Sequence, residues 1–290
     1  MRAEVEVVRA GALTTVQDRG RTGLAHLGVP RSGALDAQAY ALGNRLLGNP
    51  PGTASLETTL DGVALRAPAG SALTVAVTGA PCPVRVAGRP AAWAAPVRVP
   101  PGALLEVGSA AQGLRSYVAV RGGFAPPEVL GSRSADLLSG LGPPPLTAGT
   151  FLPLGPTPET PVAGADTPRV PAPPAELVLP VRLGPRENWF TPQSVAALGR
   201  STYRAAAASN RIGLRTEAGP PLARTRAGEL PSEGMVLGAV QVPPDGLPVI
   251  FLADHPVTGG YPVLGVVPPQ SLDAAAQTRP GTPIRFTLHR

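Results

Sequence analysis

The 290-residue sequence contains no lysine; all 25 of its basic residues are arginine. A P-loop lysine, a Schiff-base lysine and a biotinyl-lysine are therefore excluded on this chain, since each chemistry needs a primary amine on a flexible stem. Any biotin would have to arrive on a partner. There is one cysteine, Cys82, so no intrachain disulfide and no cysteine-based metal cluster can form. Its neighbours in Ala80-Pro81-Cys82-Pro83 supply no activating base, and a packed, idle thiol is expected. The three histidines, His26, His255 and His289, have no metal-ligand spacing, and no metal site is expected. No run approaches the ~20 apolar residues needed to cross a bilayer. The first nine residues alternate apolar and charged side chains instead of forming a signal-peptide core, so a cytoplasmic protein that keeps clear of membranes is expected.

Aromatic residues make up only 4% of the sequence and charged residues 15%, whereas there are 35 glycines and 38 prolines. That balance favours many short strands and turns over long helices, hence a mostly β fold with a few short helices. The length suits two domains of roughly 100 to 200 residues each. The formal charge is +6, but the arginines are scattered, without a basic run or an interleaved aromatic platform, so no nucleic-acid partner is expected.

Along the chain, residues 3–9 alternate as a strand and lead into residues 11–20, Gly11 through Gln17-Asp18-Arg19-Gly20, read as the polar turn that ends it. From Asp36 to Leu47 apolar residues recur at helical spacing, with Asp36 placed as N-cap and Gly48-Asn49-Pro50 as the stop. Seven β-prone runs follow: 56–59, 63–66, 72–78, 84–87, 97–99, 104–107 and 115–120. Such regular spacing predicts a closed or nearly closed barrel. Prolines crowd residues 142–174, read as a partly extended connector. The second half repeats the plan, with a strand at 177–183, a helix over 192–198 after Thr191, and strands through Phe286.

Four clusters are more polar and glycine-rich than a plain β core requires. The first, residues 15–36, offers Asp18, Arg19, Arg31, Ser32 and Asp36, either for a ligand or as a turn salt bridge and a helix cap. The second, Ser209-Asn210-Arg211, offers forked donors beside neutral ones, or else a surface turn. In the third, residues 230–246, Ser232, Glu233 and Gln241 interrupt apolar strands, where an unpaired polar group costs about 1–3 kcal/mol. They need partners from protein or ligand. The fourth, Asp254-His255-Pro256-Val257-Thr258-Gly259-Gly260-Tyr261-Pro262, follows an apolar strand and suits the rim of a barrel.

Taken in order, residues 14–23, 28–36, 44–48, 117–123, 131–134, 209–215, 232–246 and 258–262 resemble the biotin-dependent-carboxyltransferase-type family, which includes KipA, the C-type component of bacterial 5-oxoprolinase and allophanate hydrolase subunit 2. Family members usually carry aspartate where Asn210 stands. The resemblance implies two cyclophilin-like β-barrels, placed at residues 1–165 and 166–290, with a cleft between or beside them. It implies a subunit of an ATP-dependent 5-oxoprolinase that activates the lactam of 5-oxoproline for opening to glutamate. The partners implied are a KipI-like B subunit and a LamB/YcsF-like A subunit, with ATP and Mg used through the complex. The other branches imply a carboxyltransferase acting on urea or a related amide, with biotin on a partner chain, or a non-catalytic antagonist of a histidine-kinase inhibitor. On this resemblance the catalytic candidates are Asp18, Arg19, Asp36, Arg211, Glu233 and Asp254. The substrate-binding candidates are Arg31, Ser32, Ser209, Asn210, Ser232, Gln241, Thr258, Gly259 and Tyr261.

Overall fold

Short β-prone runs punctuated by glycine and proline become twenty strands and three short α-helices in the computed structural model, which describes residues 3–162, 175–184, 186–226, 228 and 230–289. The fold is mostly β. The chain divides into two units: Met1–Arg21, Asp36–Asp136 and Gly140–Ala172 form the first, and Thr22–Leu35, Leu137–Ser139 and Pro173–Arg290 form the second. The expected boundary at 165/166 lies outside the described residues. Residues 22–35 and 137–139, expected with the first barrel, pack within the second unit instead.

In the first unit the strands are β1 (Glu4–Arg9), β2 (Leu13–Gln17), β3 (Ser55–Thr59), β4 (Ala64–Arg66), β5 (Leu73–Gly79), β6 (Val84–Val86), β7 (Arg89–Ala91), β8 (Val97–Val99), β9 (Leu104–Val107), β10 (Arg115–Val120) and β11 (Phe151–Pro153). Their hydrogen bonding divides between a six-stranded sheet, ordered β11-β1-β4-β9-β6-β7, and a five-stranded sheet, ordered β2-β3-β10-β5-β8. Three of these strands escape the sequence reading: β2, in the stretch read as a polar turn, β7, and β11 inside the proline-rich connector. All three are edge strands, and β7 and β11 carry a proline, Pro90 and Pro153, where the missing amide hydrogen leaves no gap in a ladder. A single apolar core built on Val5, Val16, Leu56, Val75, Leu105 and Val118 joins the two sheets.

Helix α1 (Ala37–Leu46) covers the other face of the five-stranded sheet, packing Leu46 and Leu47 on Ala76 and Ala119. Gly43 permits this close seat, because a Cβ there would lie 3.2 Å from Thr78 Oγ1 and 3.3 Å from Ala119 Cβ. Asp36 caps the helix as expected, its Oδ1 accepting the Ala39 N–H at 2.9 Å.

The second unit closes into a barrel. Its strands are β12 (Leu177–Leu183), β13 (Thr202–Ala205), β14 (Gly213–Glu217), β15 (Glu233–Gly234), β16 (Ala239–Gln241), β17 (Val249–Phe251), β18 (Thr258–Gly259), β19 (Val263–Val266) and β20 (Pro283–His289). Seven of them run β12-β19-β16-β17-β14-β13-β20, with β12 and β20 parallel. The remaining pair, β15 and β18, forms a separate two-stranded ribbon. Helix α2 (Pro192–Arg200) starts on Thr191, whose hydroxyl accepts the Ser194 N–H, and α3 (Leu272–Ala276) is a single turn and a half. The barrel interior is filled by Leu179, Val181, Tyr203, Val240, Ile250 and Phe286. Tyr203 and Phe286 meet edge to face, 5.7 Å between centroids. Among the described residues no helix is long and apolar enough to cross a membrane.

Candidate functional site

Two polar clusters form in the second unit. The first arises because β17 ends at Phe251 and the chain continues alongside residues 211–213: Leu252 N–H donates to Ile212 O, and Asp254 N–H to Arg211 O. This places the two side chains face to face. Arg211 Nε donates to Asp254 Oδ2 and Arg211 Nη2 to Asp254 Oδ1, both at 2.9 Å. Arg211 is 1% exposed and Asp254 0%, so the fork pairs with the carboxylate out of solvent. Asp254 also accepts from Ser32 Oγ at 3.1 Å and from Leu137 N–H at 3.1 Å, and Arg211 Nη2 donates to Gly33 O at 2.7 Å. Ser32 takes a positive φ of 56°, a sparsely populated conformation for a residue with a Cβ, and its N–H donates to Ala253 O. Three of the expected site residues, Ser32, Arg211 and Asp254, thus come together. They do so as a buried ion pair, and its bonds to Ser32, Gly33 and Leu137 hold residues 32–33 and 137 against it.

The second cluster is built around the β15–β18 ribbon. Met235, Ala239, Val249 and Phe251 form a small apolar group on the barrel wall, and His255 stacks on Phe251 at 5.8 Å. Because a carbonyl can only accept, His255 Nδ1, 2.7 Å from Pro256 O, carries the proton. The ribbon crosses this group, and Gly259 fits where a Cβ would lie 2.9 Å from Gln241 Nε2 and 3.2 Å from Met235 Cε. Gln241, buried as a polar strand residue, donates to Tyr261 O at 3.4 Å, which supplies one of the partners its sequence position required. Glu233, on the ribbon, pairs with one edge of the Arg186 guanidinium, Nε donating to Oε2 at 3.0 Å and Nη2 to Oε1. The hydrogen bond from Arg186 holds the Glu233 carboxyl below the usual carboxylate range and raises Arg186. Arg224 lies over the Tyr261 ring, 5.8 Å from its centroid, and donates to Val242 O at 2.6 Å. Arg226 lies over Trp189 at 5.6 Å. Glu233, Gln241, Gly259 and Tyr261 were expected here; Arg186, Arg224 and Arg226 were not. For Arg224 and Arg226 the nearest signal in the sequence was the arginine alternation Arg224-Thr225-Arg226 itself. Thr258 and Ser232 belong to the same ribbon region and are exposed.

The remaining expected residues occupy other places. Ser209 and Asn210 make a turn: Asn210 Oδ1 accepts the Ile212 N–H at 2.8 Å, and Ser209 Oγ donates to Ala206 O at 2.7 Å. In the first unit, Asp18 receives Gly20 N–H, Ser132 Oγ and Ser134 Oγ on Oδ1 and Arg133 N–H on Oδ2, all within 2.8 Å. It ties the 18–20 turn to residues 132–134, and its lone pairs are taken by protein. Arg19 and Arg31 are exposed, and neither meets a carboxylate among the described residues. Asp36 N–H donates to Tyr117 Oη at 2.8 Å, and Tyr117 donates to Glu57 Oε2 at 2.7 Å. Burial first, then the charges of Glu57 and Asp36, hold the Tyr117 phenol well above its ordinary value, so it stays a donor. Asp36 and Tyr117 therefore fix the start of α1. Cys82 is buried and its thiol is pushed up by burial, as a packed thiol should be.

Among the described residues no three His, Cys, Asp or Glu side chains converge as metal ligands. The buried acids Asp18 and Asp254 are saturated by donors of their own unit. These two carboxylates are engaged by protein donors rather than held open for the magnesium of a nucleotide. A depression in the first unit lined by Arg9, Gly11, Asp61 and Ser109 holds none of the expected residues, and Arg9 is turned onto Asp61 O and Val107 O.

Residues 27–288 match the family model described as carboxyltransferase domain, subdomain A and B. The chain is 34% identical over 287 residues to the C-type component of Escherichia coli 5-oxoprolinase, covering 97% of this chain and 90% of that protein. It is 33% identical to the urea amidolyase of Lachancea kluyveri, of which it spans 17%. The crystal structure of the Kluyveromyces lactis urea carboxylase superposes over 100% of this chain with a TM-score of 0.90 and 29% identity, the chain covering 28% of that one. On these matches the chain belongs to the carboxyltransferase family of subdomains A and B.

Proposed function

We propose that this chain is one component of an ATP-dependent 5-oxoprolinase, acting with a B-type partner to activate the 5-oxoproline lactam for opening by an A-type partner. The observation that carries this reading is the 34% identity to the C-type component of the E. coli 5-oxoprolinase, sustained across 90% of that protein's length. The Tyr261 region of the second unit suits it chemically. Gln241 offers an amide, Tyr261 a phenol and Glu233 an ionised carboxylate. Such a set can orient a small planar amide and offset negative charge developing on its oxygen. Phosphoryl activation is supplied by the complex: with no lysine in the sequence and no fitting acid cluster among the described residues, nucleotide and metal belong to partner chains in this reading. The test is ATP hydrolysis by this chain co-expressed with B-type and A-type partners, with and without 5-oxoproline. Stimulation by 5-oxoproline is expected; its absence rejects the reading.

A second reading, carboxyl transfer from carboxybiotin on a partner to urea or a related amide, is favoured by the family model and by the fold shared with the yeast urea carboxylase. It predicts urea-dependent turnover that avidin blocks.

A further inference from the structure

Arg224 and Arg226 are held in an unusual way for basic residues. Each is seated on an aromatic face, Tyr261 at 5.8 Å and Trp189 at 5.6 Å, and among the described residues neither meets a carboxylate. The backbone fixes both stems. Arg224 bridges Phe190 in antiparallel fashion, Thr225 N–H donates to Trp189 O at 2.8 Å, and Thr191 N–H donates to Ala223 O at 3.2 Å. Two residues apart, the two stems leave the backbone within about 7 Å of each other. The one protein acceptor Arg224 uses among the described residues is Val242 O, bound by Nη2 at 2.6 Å. That contact and the Tyr261 ring hold the guanidinium in place, and among the described residues Nε and Nη1 have no protein acceptor. The neighbouring Arg186 shows the contrast, since its fork is already closed on Glu233.

A guanidinium seated over a ring and meeting no carboxylate among the described residues is pre-organised for an anion that presents two coplanar oxygens, which is the geometry of a carboxylate. The amide-orienting groups Gln241 and Glu233 belong to the same cluster, Gln241 bonded to the carbonyl of Tyr261 itself. We infer that Arg224 and Arg226, positioned by Tyr261 and Trp189, form a carboxylate subsite that selects an acidic lactam over a neutral amide. This rests on the proposed function and adds a basis for selectivity to it: 5-oxoproline carries a carboxylate next to its lactam, and urea carries none.

The test compares two lactams that differ only in that group, 5-oxoproline and 2-pyrrolidinone, on the complex of this chain with its partners. Both binding and lactam-dependent ATP hydrolysis are measured, for wild type, Arg226→Gln and Arg224→Gln. Arg226 is exposed, so its variant keeps the fold; thermal unfolding checks the half-buried Arg224. The expected result is that each substitution raises the KM for 5-oxoproline at least about tenfold. Response to 2-pyrrolidinone, already weak in wild type, stays unchanged within about twofold. If wild type answers to 5-oxoproline but both variants bind it within twofold of wild type, or lose both lactams equally, the subsite is overturned and the proposed function stands. If wild type answers to neither lactam, the proposed function fails and the subsite with it.

Discussion

Replacing Arg211 by alanine is the sharpest probe of what the buried pair does. Arg211 makes two 2.9 Å bonds to Asp254 and one 2.7 Å bond to Gly33 O, at 1% exposure. Alanine takes two donors and the counter-charge from the buried Asp254, which keeps the Ser32 hydroxyl and the Leu137 amide, and leaves the Gly33 carbonyl without this donor. Breaking one side of a buried ion pair costs about 3–5 kcal/mol, mostly the penalty of the stranded charge. For a unit of this size that lowers the midpoint of thermal unfolding by about 10–20 °C. Urea titration and calorimetry of Arg211→Ala, Asp254→Leu and the double variant Arg211→Met/Asp254→Leu separate the charge effect from lost packing. The double variant should recover most of the stability, since an apolar pair of similar volume needs no counter-charge. A loss below about 1 kcal/mol for Arg211→Ala, or a double variant as unstable as both singles combined, refutes the anchor. So does a variant with wild-type midpoint and no turnover, which would return Arg211 to the chemistry.

Three further outcomes are expected. Asp18→Asn turns an acceptor-only carboxylate toward four donors with an amide and should cost about 1–3 kcal/mol in urea unfolding; an unchanged midpoint would show that the 132–134 loop is held by other contacts. Gly259→Ala pushes on Gln241 Nε2 and Met235 Cε, both ends of flexible side chains, so the ribbon should shift with little loss of stability but a clear loss of turnover in the complex; unchanged turnover removes the ribbon from the site. Burial raises the Tyr203 phenol to about 12 and holds Tyr117 well above its ordinary value. Their contribution is fully present below the unfolded value near pH 10 and is lost as pH rises through the folded values. The melting temperature should therefore fall above about pH 10, and Tyr203→Phe should flatten that limb; an unaltered limb would contradict it.

Local rules carried much of the fold. Asp36 and Thr191 could be placed as N-caps because a side-chain oxygen before an apolar helical run satisfies an orphan amide whatever lies elsewhere. The runs at 97–99, 104–107 and 115–120 became strands with those limits. The misses were edge strands, β7 and β11 containing proline and β2 running straight into a polar turn, and the separate packing of residues 22–35, none of which leaves a clear periodic trace. In the site, spacing placed Glu233, Gln241, Gly259 and Tyr261 in one neighbourhood, since a short ribbon and its flanks stay close. It could not reveal that Arg211 and Asp254 saturate each other, or that Asp18 closes on Ser132 and Ser134, because those partners lie 43 and more than 100 residues away. Arg224 and Arg226 looked like two more scattered arginines until the rings beneath them were located.

Residues 22–35 join the second unit although the rest of that unit, residues 137–139 apart, begins only after residue 172. Ser32 meets Asp254 across 222 residues, and Arg211 reaches Gly33 across 178. During synthesis this early segment must wait, unplaced, until nearly the whole chain has left the ribosome, while the neighbouring strands of the first unit can already pair. A C-terminal fragment beginning at residue 166 would carry Arg211 and Asp254 but not the serine and glycine they hold. Attempts to dissect this chain into two halves at the middle should therefore give an insoluble second half, and supplying residues 22–35 as a peptide should rescue it.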